Sequence, residues 1–393
     1  MKQTTLTAMA LVLATPLFAQ GFNDSPPNTP DFKPAFEGQT RTQVIDDKID
    51  LEVTEVVKGL ENPWGLAELP DGGWLVTERP GRLRHVSADG KLSEPITGVP
   101  KVWAEGQGGL LDVAVGPGFA SDRRIWITYA EPREEGKNAT AVASAVLSAD
   151  GTKLDDLKVI FQQQPAWKSD LHFGSRLVFA PDGALFVTLG ERSLPEARVF
   201  AQDVSTHLGK VVRLNPEGGA AAGNPEIAGA LPEIYTYGHR SPQGAALDSA
   251  GNLWVIEHGP RGGDELNRIE PGKNYGWPVI TYGQEYGGEP IGEKITQKEG
   301  MEQPVYYWDP VIAPSGLTFY SGEMFADWKG SVLTGGLAGM ALVRLTLEDG
   351  KVTGEARYLQ DVGRIRDVAV AADGAVMLIT DEEDGALLRV TPK

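Results

Sequence analysis

Six polar side chains that could take part in chemistry stand at matching points of a repeated sequence pattern. Each precedes or opens a recurring apolar strand segment, and the six are Gln107, His172, Arg240, Gln243, Arg364 and Arg366. An imidazole titrates near neutral pH and can accept a proton from a hydroxyl, which makes His172 a candidate general base. Guanidinium groups bind carboxylates and carbonyl oxygens through directed hydrogen bonds, so the arginines are candidates for holding an anionic ligand. The alternative interpretation is a structural histidine, with the arginines in salt bridges to acids such as Asp367.

A second group of candidates lies in the segment HGPRGGDELN, residues 258–267. Asp264 and Glu265, together with backbone carbonyls beside glycine and proline, offer the hard oxygen ligands that calcium prefers. The spacing does not match an EF-hand loop, and an ordinary acidic turn is the alternative.

The elements that must position these residues are six related pairs of strands. Asp-Gly or a similar turn joins two apolar runs in each pair, which is a strong hairpin signal. The six units begin at Asn62, Gln107, His172, Ser241, Ala313 and Ile365. Six repeats of this size predict an all-β fold, a six-bladed β-propeller of four-stranded antiparallel blades, with residues 51–57 completing the last blade. A two-sheet sandwich is the alternative, and six repeats fit it poorly. In a propeller the loops at one end of the channel converge, so the six polar residues are predicted to share one pocket.

Composition narrows the classes of function. The 393 residues carry a formal charge of −18, which disfavours double-stranded nucleic acid as a partner. The chain has no cysteine, so disulfides and thiolate chemistry are excluded. No P-loop, no GxSxG and no dinucleotide fingerprint in a strand-to-helix setting occurs.

The N-terminal residues predict export. Residues 1–19 combine one lysine, an apolar run and small residues at the end, which is typical of a secretory signal peptide and of a periplasmic protein. Residues 20–45 are rich in Pro, Asn and Gly and are predicted to be an extended leader without a core of its own. Residues 46–393 are then one propeller domain, and no membrane span is expected.

Several motifs in order resemble those of the soluble, pyrroloquinoline quinone (PQQ)-dependent aldose sugar dehydrogenases, which are related to soluble quinoprotein glucose dehydrogenase. The resemblance runs from about Leu51 to the C-terminus, and its motifs include GQGGLLDVAVGPGF, HFGSRLVFAPDG, YGHRSPQG, EHGPRGGDELNRIEPGKNYGWP and RIRDVAVAADG. It implies oxidation of the C1 hydroxyl of an aldose to a lactone by hydride transfer to PQQ, with Ca²⁺ assistance. It also implies a possible homodimer and leaves the electron acceptor unknown.

The resemblance also implies a role for each candidate residue. His172 resembles the catalytic base, and Arg240 would polarise the quinone carbonyl that receives negative charge. Gln107, Gln243, Arg364 and Arg366, with Arg240, would hold the tricarboxylate cofactor. The carbonyls of Gly259 and Pro260 would bind the calcium beside the quinone, and Glu265 and Tyr275, with Asp264, resemble a second, structural calcium site.

Three positions depart from the family pattern. Leu171 stands where a polar residue precedes the catalytic histidine, Ser241 where an asparagine follows the arginine, and Ala338 where a lysine meets a cofactor carboxylate. Loss of one such charged hydrogen bond is worth about 1.5–3 kcal/mol. Two other functions therefore stay open. One is a calcium-dependent lactone or ester hydrolase with Glu257, Asp264 and Glu265 as ligands, and the other is a non-catalytic propeller.

Overall fold

A computed structural model describes residues 22–393, so the predicted signal peptide lies outside the described residues. The fold is a ring of six antiparallel sheets with few and short helices, which confirms the predicted six-bladed propeller. Five sheets have four strands. The sheet that opens the ring has three, and Leu92 pairs with Val86 as a one-residue substitute for the fourth.

The strands follow one another in blade order after a leading strand, β1 (Leu51–Leu60). The first three blades comprise β2 (Pro63–Glu68), β3 (Trp74–Glu78) and β4 (Arg82–Val86); β5 (Leu110–Val115), β6 (Arg124–Pro132), β7 (Asn138–Leu147) and β8 (Leu154–Gln162); and β9 (Gly174–Phe179), β10 (Leu185–Leu189), β11 (Lys210–Leu214) and β12 (Ile234–Tyr237). The last three comprise β13 (Pro242–Leu247), β14 (Leu253–Glu257), β15 (Asp264–Arg268) and β16 (Tyr306–Trp308); β17 (Pro314–Phe319), β18 (Val332–Gly336), β19 (Ala341–Glu348) and β20 (Lys351–Tyr358); and β21 (Ile365–Val370), β22 (Val376–Thr380) and β23 (Gly385–Pro392).

The helical elements are single turns between or before strands. They are two α-helical turns, α1 (Phe119–Asp122) and α2 (Pro195–Arg198), and the 3₁₀ turns Phe22–Asp24, Glu134–Gly136, Val199–Ala201 and Ala326–Trp328. Within residues 22–393, no helix has the length and apolar character needed to cross a membrane.

The first strand of every blade faces the central channel, where it contacts the first strands of both neighbouring blades. All six have the same exposure pattern, with four buried residues followed by two half-buried ones. The channel is therefore closed near the starts of these strands and opens toward their ends. A separate hydrophobic cluster fills each of the six gaps between neighbouring blades. Because apolar burial is the main stabilising term in folding, these six clusters hold the ring together.

Strand β1 closes the ring. It pairs antiparallel with β23 over its whole length, from Leu51 opposite Pro392 to Leu60 opposite Gly385. The last blade thus takes its outermost strand from the start of the propeller, as the sequence analysis predicted for residues 51–57. The first and last strands of the ring are thereby joined in one blade, of which β1 forms the outer edge.

The leader packs on the propeller, and we call residues 22–47 the N-terminal strap. Asp309 accepts hydrogen bonds from the Asn28 and Thr29 amides, at 2.5 and 3.0 Å, and from Thr29 Oγ1 at 2.8 Å. Gln39 is fully buried and donates to Pro304 O at 2.9 Å. The strap therefore obtains its buried contacts from the outer side of the fourth and fifth blades.

We expect Asp309→Ala to release the strap. The change leaves three donors without their charged acceptor, and hydrogen bonds to charged groups contribute about 1.5–3 kcal/mol to stability. The free energy of unfolding should fall by that order, and cleavage within the strap by a dilute protease should become faster. Asp31→Ala is the matched control, because within residues 22–393 the Asp31 side chain pairs with exposed Lys294, and such pairs are worth about 0–1 kcal/mol. Equal behaviour of the two variants would contradict the anchoring role.

Candidate functional site

A cavity of about 240 Å³ lies at the closed end of the channel, where the inner strands begin. Four of the six predicted polar residues, Gln107, Gln243, Arg364 and Arg366, line it. The prediction that distant repeats share one pocket is therefore met for these four. His172 and Arg240 do not line this space, but the residue after His172, Phe173, does.

His172 is buried and held at three points. Its backbone is in the left-handed region at φ +49°, its amide donates to Gln107 Oε1 at 2.9 Å, and its Nδ1 lies 3.1 Å from Glu191 Oε1. A carboxylate only accepts, so Nδ1 carries the proton and Nε2 is the basic atom. Burial and the positive charge of Arg240 lower the pKa of His172, against the opposing effect of Glu191. The imidazole is therefore neutral at pH 7 and able to accept a proton.

Glu191 places a carboxylate against the His172 ring, although the residue before the histidine is Leu171. Burial opposes its ionisation, but its interactions with the His172 ring and Arg240 and the hydrogen bond from the Ser193 amide outweigh burial and lower its pKa. Glu191 follows β10, which pairs with β9 so that Leu189 faces Gly174, two residues after His172. This register brings the two side chains together, and it is the sequence signal that could have identified Glu191.

Arg192 fixes the loop before His172. Its guanidinium donates to Leu171 O at 3.0 Å and to Asn138 Oδ1 at 2.6 Å, and it lies 3.9 Å above the Phe173 ring. Leu171 thus contributes its backbone carbonyl to this arrangement, while its side chain is 39% exposed.

Arg240 reaches the segment that was predicted to bind calcium. Its Nη1 donates to His258 O at 3.0 Å and to Gly259 O at 2.8 Å, and its guanidinium lies 5.3 Å from the Trp277 ring. Its Nε is buried and has no hydrogen-bond partner among residues 22–393. Ser241, which departs from the family pattern, accepts a hydrogen bond at its Oγ from Gln243 Nε2 at 3.2 Å.

Arg364 and Arg366 share one acid, Asp381. Its Oδ2 accepts from Arg364 Nη2 at 3.1 Å and from Arg366 Nη2 at 2.8 Å. Both the Nε of Arg366 and the second oxygen of Asp381 are buried without a partner in the described part of the chain. Ala338 forms part of the same wall. Arg344 does not supply the missing positive charge. Its Nη1 pairs with Asp47 Oδ2 at a distance of 2.5 Å, and Arg344 does not line this cavity.

The sequence analysis considered only residues at the starts of the inner strands and therefore missed a second ring. In an antiparallel hairpin, the end of the second strand lies beside the start of the first. The residues just after the second strands therefore reach the same site, and they are Arg79, Glu191, His258, Ala338 and Asp381. Of these, only Ala338 had been assigned to the site.

His258 is a neutral member of this second ring. Its Nε2 lies 2.8 Å from Pro314 O, and since a carbonyl only accepts, Nε2 carries the proton. Burial, followed by the charges of Arg240 and Arg366, lowers the pKa of His258 to about 3. Its ring adds no positive charge to the cavity.

Asp264 is occupied by backbone amides. Its Oδ1 accepts from Gly259 at 2.8 Å, and its Oδ2 accepts from Ile312 and Ala313 at 2.8 and 2.7 Å. Successive residues of a strand face opposite sides, so Glu265 points away from it. Asp264 thus shapes the loop that presents the Gly259 and Pro260 carbonyls.

Glu265 faces Glu257 across the sheet. Asn267 Nδ2 lies between them, 3.1 Å from Glu257 Oε1 and 3.2 Å from Glu265 Oε2. Burial and the charge of Glu257 raise the pKa of Glu265 well above its usual value. Tyr275 donates its hydroxyl to Arg268 O at 2.7 Å. A cation beside Glu265 would relieve the repulsion between the Glu257 and Glu265 carboxylates, which fits the predicted structural calcium.

The described residues 22–393 contain no group of three or more His, Asp or Glu side chains placed to hold a metal ion. The ligand set of the hydrolase interpretation, Glu257, Asp264 and Glu265, does not converge, since Asp264 lies on the other face. Any calcium site here must rely on backbone carbonyls in addition to carboxylates.

Comparison with known proteins decides the family. Residues 60–389 match the family model described as Glucose / Sorbosone dehydrogenase. The chain belongs to this family. Aldose sugar dehydrogenase YliI of Escherichia coli K12 is 46% identical to this chain, over 85% of this chain and 91% of its own length.

Two solved structures extend the likeness to the whole propeller. A crystal structure of glucose dehydrogenase is 50% identical to this chain, with a TM-score of 0.84, and the match covers 87% of this chain and 100% of that one. The PQQ-bound aldose sugar dehydrogenase of Streptomyces coelicolor is 30% identical, with a TM-score of 0.70, and covers 87% of this chain and 99% of its own.

Proposed function

We propose that this protein oxidises the C1 hydroxyl of an aldose to a lactone, with PQQ as the hydride acceptor and Ca²⁺ as a Lewis acid. One observation carries the proposal. A cavity rich in guanidinium groups, with buried N–H donors that lack acceptors, adjoins a neutral histidine whose Nδ1 is bound to a carboxylate. An acceptor-rich, anionic ligand would satisfy those donors, and a tricarboxylate quinone is such a ligand.

When bound, PQQ would accept one hydride, which carries both electrons removed from C1, and no side chain can supply this part of the chemistry. The chain's own residues do the rest. Nε2 of His172 accepts the proton of the sugar's C1 hydroxyl, while Glu191 stabilises the imidazolium that forms. Arg240 would stabilise the negative charge that develops on the carbonyl oxygen of the quinone. Gln107, Gln243, Arg364 and Arg366 bind and orient the polar edge of the ligand.

The calcium assignment rests on carbonyl and carboxylate chemistry. Gly259 O already faces Arg240, the residue at the reacting end of the site. The carbonyls of Gly259 and Pro260 would hold one Ca²⁺, and Glu265 with Tyr275 would hold a second. Hard oxygen donors of this kind suit calcium.

The alternatives receive less support. A hydrolase that uses Glu257, Asp264 and Glu265 lacks a converging ligand set in residues 22–393. A non-catalytic propeller gives no reason for unsatisfied buried donors on Arg240 and Arg366, which are costly without a ligand.

The N-terminus adds a location to the proposal. We infer that residues 1–19 direct export and are removed, so that the propeller acts in the periplasm. Residues 20–45 then remain as a leader, most of it within the strap, before the single propeller domain of residues 46–393. A homodimer, implied by resemblance alone, is tested by sedimentation of the mature chain.

The experiment that tests the function is a titration of the calcium-loaded protein with PQQ, followed by calorimetry and absorbance. We expect stoichiometric binding, and reduction of an artificial electron acceptor when aldoses are added. Arg364→Ala should raise Kd by about 10- to 150-fold, the equivalent of one charged hydrogen bond. The Arg364 side chain is 42% exposed, so folding should be little affected.

Arg389→Ala is the matched control. Arg389 pairs with Asp373 on the outer part of the last blade, so its loss should leave the PQQ affinity unchanged. Failure of the wild-type chain to bind PQQ at micromolar concentration would overturn the proposed function.

A further inference from the structure

Arg79 lies on the wall of the cavity, immediately after β3, and no role has been assigned to it so far. We propose that Arg79 is a cofactor-binding residue that pairs with a carboxylate of the quinone. This inference rests on the proposed function and names a further contact within that site.

The hydrogen bonding of Arg79 leaves its positive charge available. Its Nη1 donates to Gly106 O at 2.5 Å, a neutral acceptor. Its Nε is buried and without a partner in residues 22–393, and over the same range it forms no salt bridge. A buried guanidinium N–H without an acceptor is costly, so a ligand acceptor at this place stabilises the site.

The charges of the cavity select an anion. Arg364 and Arg366 both use Oδ2 of Asp381, so three guanidinium groups, including that of Arg79, face a single carboxylate. The positive charge of Arg79 is felt at both Arg366 and Asp381. This local excess of positive charge occurs in a chain whose net charge is −18. A tricarboxylate is the ligand class that neutralises it.

Arg79 also accounts for the departure at Ala338. Ala338 lies on the wall of the same cavity, at the position where the family resemblance places a lysine for a cofactor carboxylate. Arg79 enters that cavity from the first blade and Ala338 from the fifth. The positive charge of Arg79 therefore lies in the same cavity as the position that lacks a lysine.

A competing explanation must be separated from this one. The bond from Arg79 to Gly106 O could act only by ordering the loop that carries Gln107. Both roles predict weaker binding when Arg79 is lost, but only the charge role is replaceable from another blade.

The test is PQQ binding to the calcium-loaded full chain, measured by calorimetry in four variants. We expect Arg79→Ala to raise Kd about 10-fold or more, and Arg79→Lys to recover a large part of this loss. Adding Ala338→Lys to the Arg79→Ala chain should restore the affinity to within a few-fold of wild type. Arg389→Ala should bind as wild type does.

Each outcome decides the question. If Arg79→Ala binds as tightly as Arg389→Ala, or binds weakly and is not restored by Ala338→Lys, the proposed contact is wrong, although the proposed function still holds. If the wild-type chain does not bind PQQ at all, both are wrong. A circular dichroism spectrum and melting temperature equal to those of wild type exclude misfolding as the cause of weak binding.

Discussion

His172→Ala should lower kcat for aldose oxidation by about 10²- to 10⁴-fold, the usual contribution of a general base. The affinity for PQQ should change little, because Nε2 of His172 acts on the sugar hydroxyl rather than on the cofactor. Steady-state kinetics with an artificial acceptor, combined with a PQQ titration of the same variant, separates the two effects. His85→Ala, on β4 away from the cavity, is the control. An unchanged kcat in His172→Ala would contradict the role of His172 as the base.

The pH profile gives a second readout. Catalysis requires neutral His172, and burial together with Arg240 lowers its pKa below the usual value near 6.5. The rate should therefore be at its plateau at pH 7 and decline only in more acidic solution. Glu191→Gln keeps a hydrogen-bond acceptor for Nδ1 but removes the charge that raises the His172 pKa. We expect a lower kcat, and we expect the decline of kcat in acidic solution to move to lower pH, because the pKa of His172 falls when the Glu191 charge is removed. A fall in kcat without this movement would reduce Glu191 to a structural role.

The fold could be predicted from sequence because its signal is local and repeated. Asp-Gly turns between apolar runs, present in six copies, specify hairpins, and six hairpin units leave few alternatives to a propeller. The closing role of β1 also followed, because a spare strand before the first repeat had only one open blade to join. The sequence did not predict that the first blade has only three strands. In place of a fourth strand, this blade has the single bridge between Val86 and Leu92.

The sequence predicted one of the two rings of residues that form the site. Residues before the inner strands were found because they repeat at fixed places in each unit. Glu191 and Asp381 were not, because their importance depends on which side chains the hairpin register brings opposite them. The consequence of the departure at Leu171 depends on Glu191, which lies two residues after the end of β10 rather than next to His172. Pairing each inner strand with its hairpin partner would have revealed both rings.

Arg176→Met should be the most destabilising single change in the chain. Arg176 is buried at the centre of the ring, and its Nη1 bridges Asp112 Oδ1 at 2.9 Å and Asp367 Oδ2 at 2.8 Å. Removing the shared cation leaves two buried carboxylates uncompensated. Breaking a buried pair in this way costs about 3–5 kcal/mol, measured as the change in free energy of unfolding in urea.

The glycines of the repeat make this ion cluster possible. A Cβ on Gly65 would lie 2.6 Å from Asp112 Oδ1, and a Cβ on Gly316 would overlap Asp367. Each glycine therefore leaves room for the carboxylate of the next blade. The pattern of a glycine near the start of the inner strand thus has a structural cause, which is separate from catalysis.

The instability of Arg176→Met should depend on pH in a defined direction. Burial, together with the charge of Asp367, raises the pKa of Asp112 to about 6 even with Arg176 beside it. Without the arginine, both acids should bind protons still more tightly in the folded state than in the unfolded one. Folded stability then increases as pH falls. We therefore expect the deficit relative to wild type to be largest near pH 8 and to shrink toward pH 5.

Neutralising the acids tests the same cause without changing pH. Asp112→Asn and Asp367→Asn, added to Arg176→Met, should recover much of the lost stability, since no buried charge then remains. Removing the Arg176 guanidinium should also disturb the cofactor cavity, because this group lies 4.4 Å from the Trp64 ring and donates to Gln243 O at 3.2 Å. Trp64 and Gln243 both line that cavity. A variant that unfolds as easily at pH 5 as at pH 8 would show that packing, rather than the ion cluster, is what Arg176 contributes.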